Sequence, residues 1–235
     1  MLYGVMYRNC EVTDLQSFTA PYASMAHDFM VTRRHVLFPV TPLALSVERA
    51  MRGKPLLAWD ANKRTHVGVM QRGGSTDTLR WFQADACHVF HVLNAWDNGD
   101  TLVAYVMQSE TAPGLPDAEG RPGDPEAMAA RLCRWTFDLA DTSAEFRREY
   151  LDDLVAEFPR IDERYAGRRN RMASTPAMRR RARRTIRKAC STTAWPASIS
   201  TPASAASIRC HTAMSYRSRF LCHAPQMLRK VTADS

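Results

Sequence analysis

Histidine is the residue type in this chain with the widest chemical use, and the sequence contains seven of them. A neutral imidazole can transfer protons near neutral pH and can bind a transition metal through either ring nitrogen. His27 lies in the segment M-A-H-D-F at 25–29, and His91 lies between Phe90 and Val92. For each of these two histidines, two interpretations stay open: a core or surface residue, or a metal ligand.

His88 and His91 form an H-x-x-H pair, a spacing that invites comparison with metal sites. The surrounding residues predict a β-strand, in which successive side chains point to opposite faces. A spacing of three then places the two rings on opposite sides of the sheet. We therefore expect that His88 and His91 do not share one metal ion.

Short segments that alternate apolar and polar residues dominate the first two thirds of the chain. Such segments, rich in β-branched and aromatic residues and bounded by turn residues, are typical of strands. The predicted strands are 35–40, 65–70, 87–93, 101–107 and 133–139. Asn98-Gly99 predicts a tight turn that joins the third and fourth into a hairpin. Helix is predicted only at 126–132 and 142–150.

Regularly spaced hairpins without long helices between them predict an all-β fold. A sandwich, a barrel and a propeller all fit this pattern, and the periodicity does not choose among them.

Charge and turn residues divide the chain near residue 171. Of its 32 Lys and Arg, 12 lie in 173–235 together with one acid, whereas residues 1–172 carry a small net negative charge. The last of the ten glycines is Gly167. A β-domain can hardly form its turns without such residues. We therefore predict a β-domain over 1–171 and a basic tail of low order over 172–235.

Taken at face value, the tail has an alternative use. The run R-R-R-A-R-R-T-I-R-K at 179–188 could bind nucleic acid or an acidic surface. The tail lacks aromatic residues between these charges that could stack on bases. We therefore favour the function implied by the resemblance described below over nucleic-acid binding. No apolar run is long enough to span a bilayer and no export signal is evident, which predicts a cytoplasmic location.

Several motifs, in order along the chain, resemble those of the carotenoid cleavage oxygenases, above all their bacterial lignostilbene-dioxygenase-like branch. The motifs are A-P-Y-A-S-M-A-H-D-F-M-V-T at 20–32, F-P-V-T-P-L at 38–43, R-W-F at 80–82, V-F-H-V-L-N-A-W at 89–96, R-W-T-F-D-L at 134–139 and E-F-P-R-I-D-E-R-Y-A-G-R-R at 157–169. The resemblance extends from about residue 2 to residue 171.

This resemblance implies a seven-bladed β-propeller, of which the chain would form an incomplete part. It also implies one non-haem Fe(II) bound by four histidines, three of them oriented by glutamates. His27 and His91 match two ligand positions, and Glu157 matches one of the orienting glutamates. Neutral imidazoles suit Fe(II), and a carboxylate on the far ring nitrogen fixes the tautomer and orientation of a ligand. The substrates would be O₂ and a hydrophobic conjugated alkene, such as a carotenoid, an apocarotenoid or a stilbene, cleaved to two carbonyl products.

The other two ligand histidines have no match in the sequence, so the resemblance implies a truncated fragment that is inactive in this form. Read from the third base of each codon, the tail permits segments similar to those of the family in the expected order. This pattern suggests a frameshift near Arg171 or Met172, which the DNA sequence over codons 165–180 would test. A non-enzymatic β-domain that uses the family scaffold for binding stays open as a third interpretation.

Overall fold

A computed structural model describes residues 1–170, 172–176 and 207–208, and it consists mainly of short antiparallel strands. The strands are β1 Leu2–Met6, β2 Val12–Ser17, β3 Met30–Val31, β4 His35–Val40, β5 Leu43–Leu45, β6 Leu57–Trp59, β7 Thr65–Gln71, β8 Arg80–Ala84, β9 His88–Asn98, β10 Thr101–Ser109, β11 Arg131–Asp138, β12 Arg147–Val155, β13 Met172–Ala173 and β14 Ser207–Ile208. One α-helix (α1, Val47–Met51) and two 3-10 turns (Thr76–Thr78 and Glu163–Tyr165) complete the described elements.

Two four-stranded antiparallel sheets make up most of the described fold. The first sheet has the order β3-β4-β7-β8, and the second has the order β12-β11-β10-β9. The predicted hairpin is present, with Gly99 at a φ of 65° in the turn between β9 and β10. The prediction of an all-β fold is confirmed. The seven-blade count stays a prediction, because the sheets of the described residues do not close into a ring.

One cluster of buried apolar residues contains side chains of both sheets. The first sheet contributes residues such as Met30, Leu37 and Phe82, and the second contributes Trp135 and Phe137. The rings of Phe82 and Phe137 meet edge to face, with their centroids 5.6 Å apart. Burial of such aromatic surface is the main driving force that holds sheets together. The packing therefore fixes β3, which begins three residues after His27, relative to β9, which contains His91.

Both predicted helices are wrong. Residues 126–132 form a turn that leads into β11, and residues 147–155 form β12 instead of a helix. Strand β12 contains good helix formers, but it pairs with β11 in the register Arg134↔Glu149. Tertiary pairing overrides the local propensity at this edge of the second sheet. The described helix lies at Val47–Met51, where Ser46 caps it through the backbone N–H of Arg49.

Most of the predicted basic tail lies outside the described residues, including 179–188. Within the tail, Ser174 exchanges two backbone hydrogen bonds with Arg160, with N···O distances of 2.7 and 2.8 Å. The division into 1–171 and 172–235, and the low order of the tail, stay predictions. In the part of the chain that the structure describes, no helix has the length and apolar character needed to cross a bilayer.

Candidate metal centre

The imidazoles of His27 and His91 lie side by side. Their ring centroids are 5.2 Å apart and the ring planes are nearly perpendicular, at 89°. For nitrogen–metal distances of about 2.1 Å, two imidazoles on adjacent positions of one metal ion have centroids roughly 4.5–5.5 Å apart. The two rings therefore fit a shared ion in their separation. His27 precedes β3 and His91 belongs to β9, so the pair exists only in the folded chain.

Glu157 orients the ring of His91 through a hydrogen bond to Nδ1. Its Oε2 lies 2.7 Å from Nδ1 of His91, and because a carboxylate can only accept, Nδ1 is the protonated nitrogen. In this tautomer of the neutral ring, Nε2 carries the lone pair that a metal needs. The Glu157 side chain is only 14% exposed, so water competes little for this bond.

The turn after β12 places Glu157 next to an aromatic residue, Phe158. Phe158 adopts a φ of 54°, which non-glycine residues seldom do, and its N–H donates to Oε2 of Glu157 at 3.1 Å. The Phe158 ring lies over His91, with centroids 4.8 Å apart. Thr175 donates its hydroxyl to the carbonyl of Glu157 at 2.8 Å. This strained turn is stabilised by several contacts, as is common near functional sites.

Irregular pairing in β9 brings His91 to the site. The register against β10 shifts twice, between the pairs Tyr105↔Asn94 and Val106↔Val92 and again before Gln108↔Val89. Each shift inserts an extra residue in β9, and such bulges re-aim side chains. Simple alternation therefore does not hold between His88 and His91, and the expectation that they do not share one metal ion stays a prediction.

His88 is fully buried, unlike His27 and His91. Its side chain is 1% exposed, and its Nδ1 lies 3.0 Å from the hydroxyl of Thr41. The ring of Phe90 packs against both His88 and His27, with centroid distances of 4.3 and 5.1 Å. Among the described residues, no three His, Cys, Asp or Glu side chains converge as a metal site. The described centre is thus a pair of imidazoles with one supporting carboxylate.

The electrostatics around His27 favour its neutral ring. Partial burial, followed by the neighbouring His91, lowers the pKa of His27, and the charges of Asp28 and Glu157 oppose this shift. Neutral imidazole is the form that binds metal. The ring nitrogens of His27 make no hydrogen bond to any described residue, which leaves them available to a ligand.

Sequence reasoning found His27, His91 and Glu157 but missed two neighbours, Asp28 and Phe158. Asp28 accepts a hydrogen bond from the backbone N–H of Val92 at 3.0 Å, which crosses from the His27 segment to β9. The position of Asp28 next to His27 was the available signal. Nothing in the sequence indicates the left-handed backbone of Phe158.

Comparisons with known proteins place the chain and its fold in one family. The family described as retinal pigment epithelial membrane protein (RPE65) matches residues 2–201. The isoeugenol monooxygenase of Pseudomonas putida is 37% identical over 174 residues, which are 74% of this chain and 36% of that protein. The lignostilbene-alpha,beta-dioxygenase isozyme III of Sphingomonas paucimobilis is 35% identical over 64% of this chain and 32% of that protein.

A solved structure agrees with these sequence relatives. The crystal structure of Pseudomonas brassicacearum lignostilbene dioxygenase superposes with a TM-score of 0.67 at 35% identity, covering 72% of this chain and 36% of that one. The chain belongs to the RPE65 and carotenoid cleavage oxygenase family, as its motifs predicted. It spans about a third of the length of the curated relatives that it matches.

Proposed function

We propose that His27 and His91 are two ligands of a non-haem Fe(II) centre and that Glu157 orients His91. The observation that carries this proposal is the perpendicular imidazole pair with a carboxylate on Nδ1 of one ring. Imidazole nitrogen suits Fe(II), and a carboxylate behind a ligand ring raises its basicity. When bound, the iron would activate O₂, which is the oxidant and accepts the electrons that the C=C bond loses on cleavage.

We further propose that the reaction is the oxidative cleavage of a C=C bond to two carbonyl compounds, with O₂ as co-substrate. Relatives named for isoeugenol, lignostilbene and carotenoid substrates support a hydrophobic conjugated alkene as the other substrate. Within this chain, Phe90 and Phe158 flank the two histidines and would present an apolar surface to such a substrate. A seven-bladed propeller with two further histidine ligands would complete the centre.

Titration of the full chain with Co(II), followed by NMR of isotope-labelled histidine, tests the metal proposal. Co(II) is a paramagnetic substitute for Fe(II), so we expect it to shift and broaden the ring signals of His27 and His91 first. His27→Ala and His91→Ala should each weaken this binding by about 10-fold or more, since each removes half of the ligand pair. His66→Ala is the matched control, because His66 is also partly exposed but lies on β7. Broadening that is equal at all histidines would contradict the proposal.

The same pair of ligands predicts a low activity for this chain. Two imidazoles hold iron weakly, because affinity and geometry depend on the complete ligand set. We expect the purified chain to contain well below one iron per molecule and to cleave neither lignostilbene-type nor apocarotenoid alkenes. Stoichiometric iron with measurable cleavage would contradict this prediction.

A further inference from the structure

The segment that carries His27 has little regular backbone pairing of its own. The backbone N–H of Met25 donates to Leu43 at 3.2 Å on one side, and β3 begins at Met30 on the other. Residues 26–29 between these points form neither helix nor strand. The side chain of His27 is exposed, and its ring contacts the rings of Phe90 and His91. Its position therefore depends on side-chain interactions of its neighbours.

Asp28 supplies such an interaction with both carboxylate oxygens. Oδ1 accepts from the backbone N–H of Phe29 at 2.9 Å, which is a local bond within the segment. Oδ2 accepts from the backbone N–H of Val92 at 3.0 Å, which is a bond across to β9. Hydrogen bonds to an ionised carboxylate are stronger than those between neutral groups. One side chain thus fixes the segment both locally and against the sheet.

The bond to Val92 joins the two histidines almost directly. Asp28 follows His27 in the chain, and Val92 follows His91. Val92 also lies between the two register shifts of β9, where the regular ladder is interrupted. The path from His27 through Asp28 and Val92 to His91 contains a single non-covalent link.

We propose that Asp28 is a positioning residue that sets the separation of the His27 and His91 rings. The inference about ring geometry needs no metal, and its consequence for metal affinity rests on the proposed function. Phe90 and Phe158 contact the rings by packing alone, which allows sliding, whereas the hydrogen bond of Asp28 fixes a distance. Loss of the cross-bond should therefore separate the rings without unfolding the sheets.

Asp28→Ser distinguishes the cross-bond from the local bond. A serine hydroxyl can still accept from the N–H of Phe29, but it is too short to reach Val92. Asp28→Asn keeps the size of the side chain and one acceptor, so we expect an intermediate effect. Asp60→Ser is the matched control, because Asp60 is also a partly buried carboxylate that caps a local N–H, that of Asn62, away from the site.

Three measurements on the full chain test the proposal: the nuclear Overhauser effect (NOE) between the His27 and His91 ring protons without metal, the Co(II) dissociation constant, and the urea midpoint. For Asp28→Ser we expect loss of the ring contact, a dissociation constant raised about 10- to 100-fold, and a urea midpoint close to that of Asp60→Ser. A retained ring contact in Asp28→Ser, or no such contact in the unsubstituted chain, would overturn the proposal. If Asp28→Ser does not fold, an Asp28→Asn variant that retains the full ring contact would overturn it as well.

The outcomes separate this inference from the proposed function. If the unsubstituted chain shows the ring contact and Asp28→Ser loses it, but neither binds Co(II) at the pair, the positioning role is supported and the metal proposal fails. If the unsubstituted chain binds Co(II) at the pair and Asp28→Ser binds it equally well with the ring contact intact, the positioning role fails and the metal proposal stands.

Discussion

The partner of one ring nitrogen decides what each histidine of β9 can do. In His91, Nδ1 donates to the Glu157 carboxylate, and the ring stays partly exposed, so the other nitrogen can reach a ligand. In His88, Nδ1 faces the hydroxyl of Thr41, and Nε2 is buried without a hydrogen-bond partner among the described residues. These two histidines, three residues apart, therefore differ in what they can do: His91 is suited to binding a ligand, and His88 is suited to packing in the core.

His88 makes stability depend on pH. Burial, followed by the nearby His27, lowers the pKa of His88 to about 3. The unfolded chain protonates this histidine near its ordinary pKa of 6.5, whereas the folded chain does not, so protons favour unfolding between these values. We expect the free energy of unfolding to fall as pH drops from 6.5 towards 3, with His88 contributing up to about 1.4 kcal/mol per pH unit.

His88→Asn tests this contribution by urea denaturation at several pH values. Asparagine can still pair with Thr41 but does not titrate, so the dependence on pH should become shallower in this range. His66→Gln is the control, since His66 is less buried and should change the slope less. Equal slopes for His88→Asn and the unsubstituted chain would refute the assignment.

At the scale of elements, the end of β9 is tied to the turn between β3 and β4 by Asp97. Its carboxylate accepts from the hydroxyl of Thr32 at 3.0 Å, the backbone N–H of Arg34 at 3.2 Å and Nδ1 of His35 at 2.7 Å. Burial by itself would raise the pKa of Asp97, but the hydrogen bonds from His35, Thr32 and Arg34 outweigh it and lower the pKa. This carboxylate joins the two sheets at the ends of the strands, a few residues after His27 and His91 in the sequence.

We predict that Asp97→Asn lowers the free energy of unfolding by about 1–3 kcal/mol, because an amide cannot accept all three of these bonds. A carboxyl whose pKa is depressed in the folded state stabilises it above the ordinary pKa of Asp. That contribution is lost as the pH falls through the depressed value. Urea denaturation at pH 7 and below pH 4 should therefore show the cost of the substitution shrinking in acid. Asp141→Asn, at an exposed carboxylate, should change little, and an equal loss in both variants would contradict this role.

Some elements and site residues could be predicted from the sequence alone, and others could not. Strands β4 and β7 were predicted within a residue of their ends, because apolar residues and turn residues bound them clearly. Strand β12 was missed, because Arg147–Val155 has the composition of a helix and becomes a strand only by pairing with β11. At the site, motifs gave His27, His91 and Glu157. The cross-bond of Asp28 and the backbone of Phe158 depend on the bulges of β9 and a left-handed turn, which no local pattern encodes.

At the scale of the whole molecule, the candidate site depends on the packing between the two sheets. His27 precedes the first sheet and His91 lies in the second, so their approach requires both sheets to share one core. Phe137 is fully buried there and contacts Phe82 across the sheets, as well as Trp135 and Phe146 within its own side. A substitution at Phe137 should therefore destabilise both sheets and alter the geometry of the site.

We predict that Phe137→Leu lowers the free energy of unfolding by about 1–3 kcal/mol, because the smaller side chain leaves part of the aromatic contact surface unfilled. A shared core unfolds as one cooperative unit, so amide hydrogen exchange should accelerate by a similar factor in β7 of the first sheet and in β10 of the second. Leu15→Ala, at an exposed position of β2, is the control and should leave exchange in both strands unchanged. If exchange accelerates in β10 while β7 keeps its protection, the sheets are independent units, and the His27–His91 pair cannot rely on their packing for its geometry.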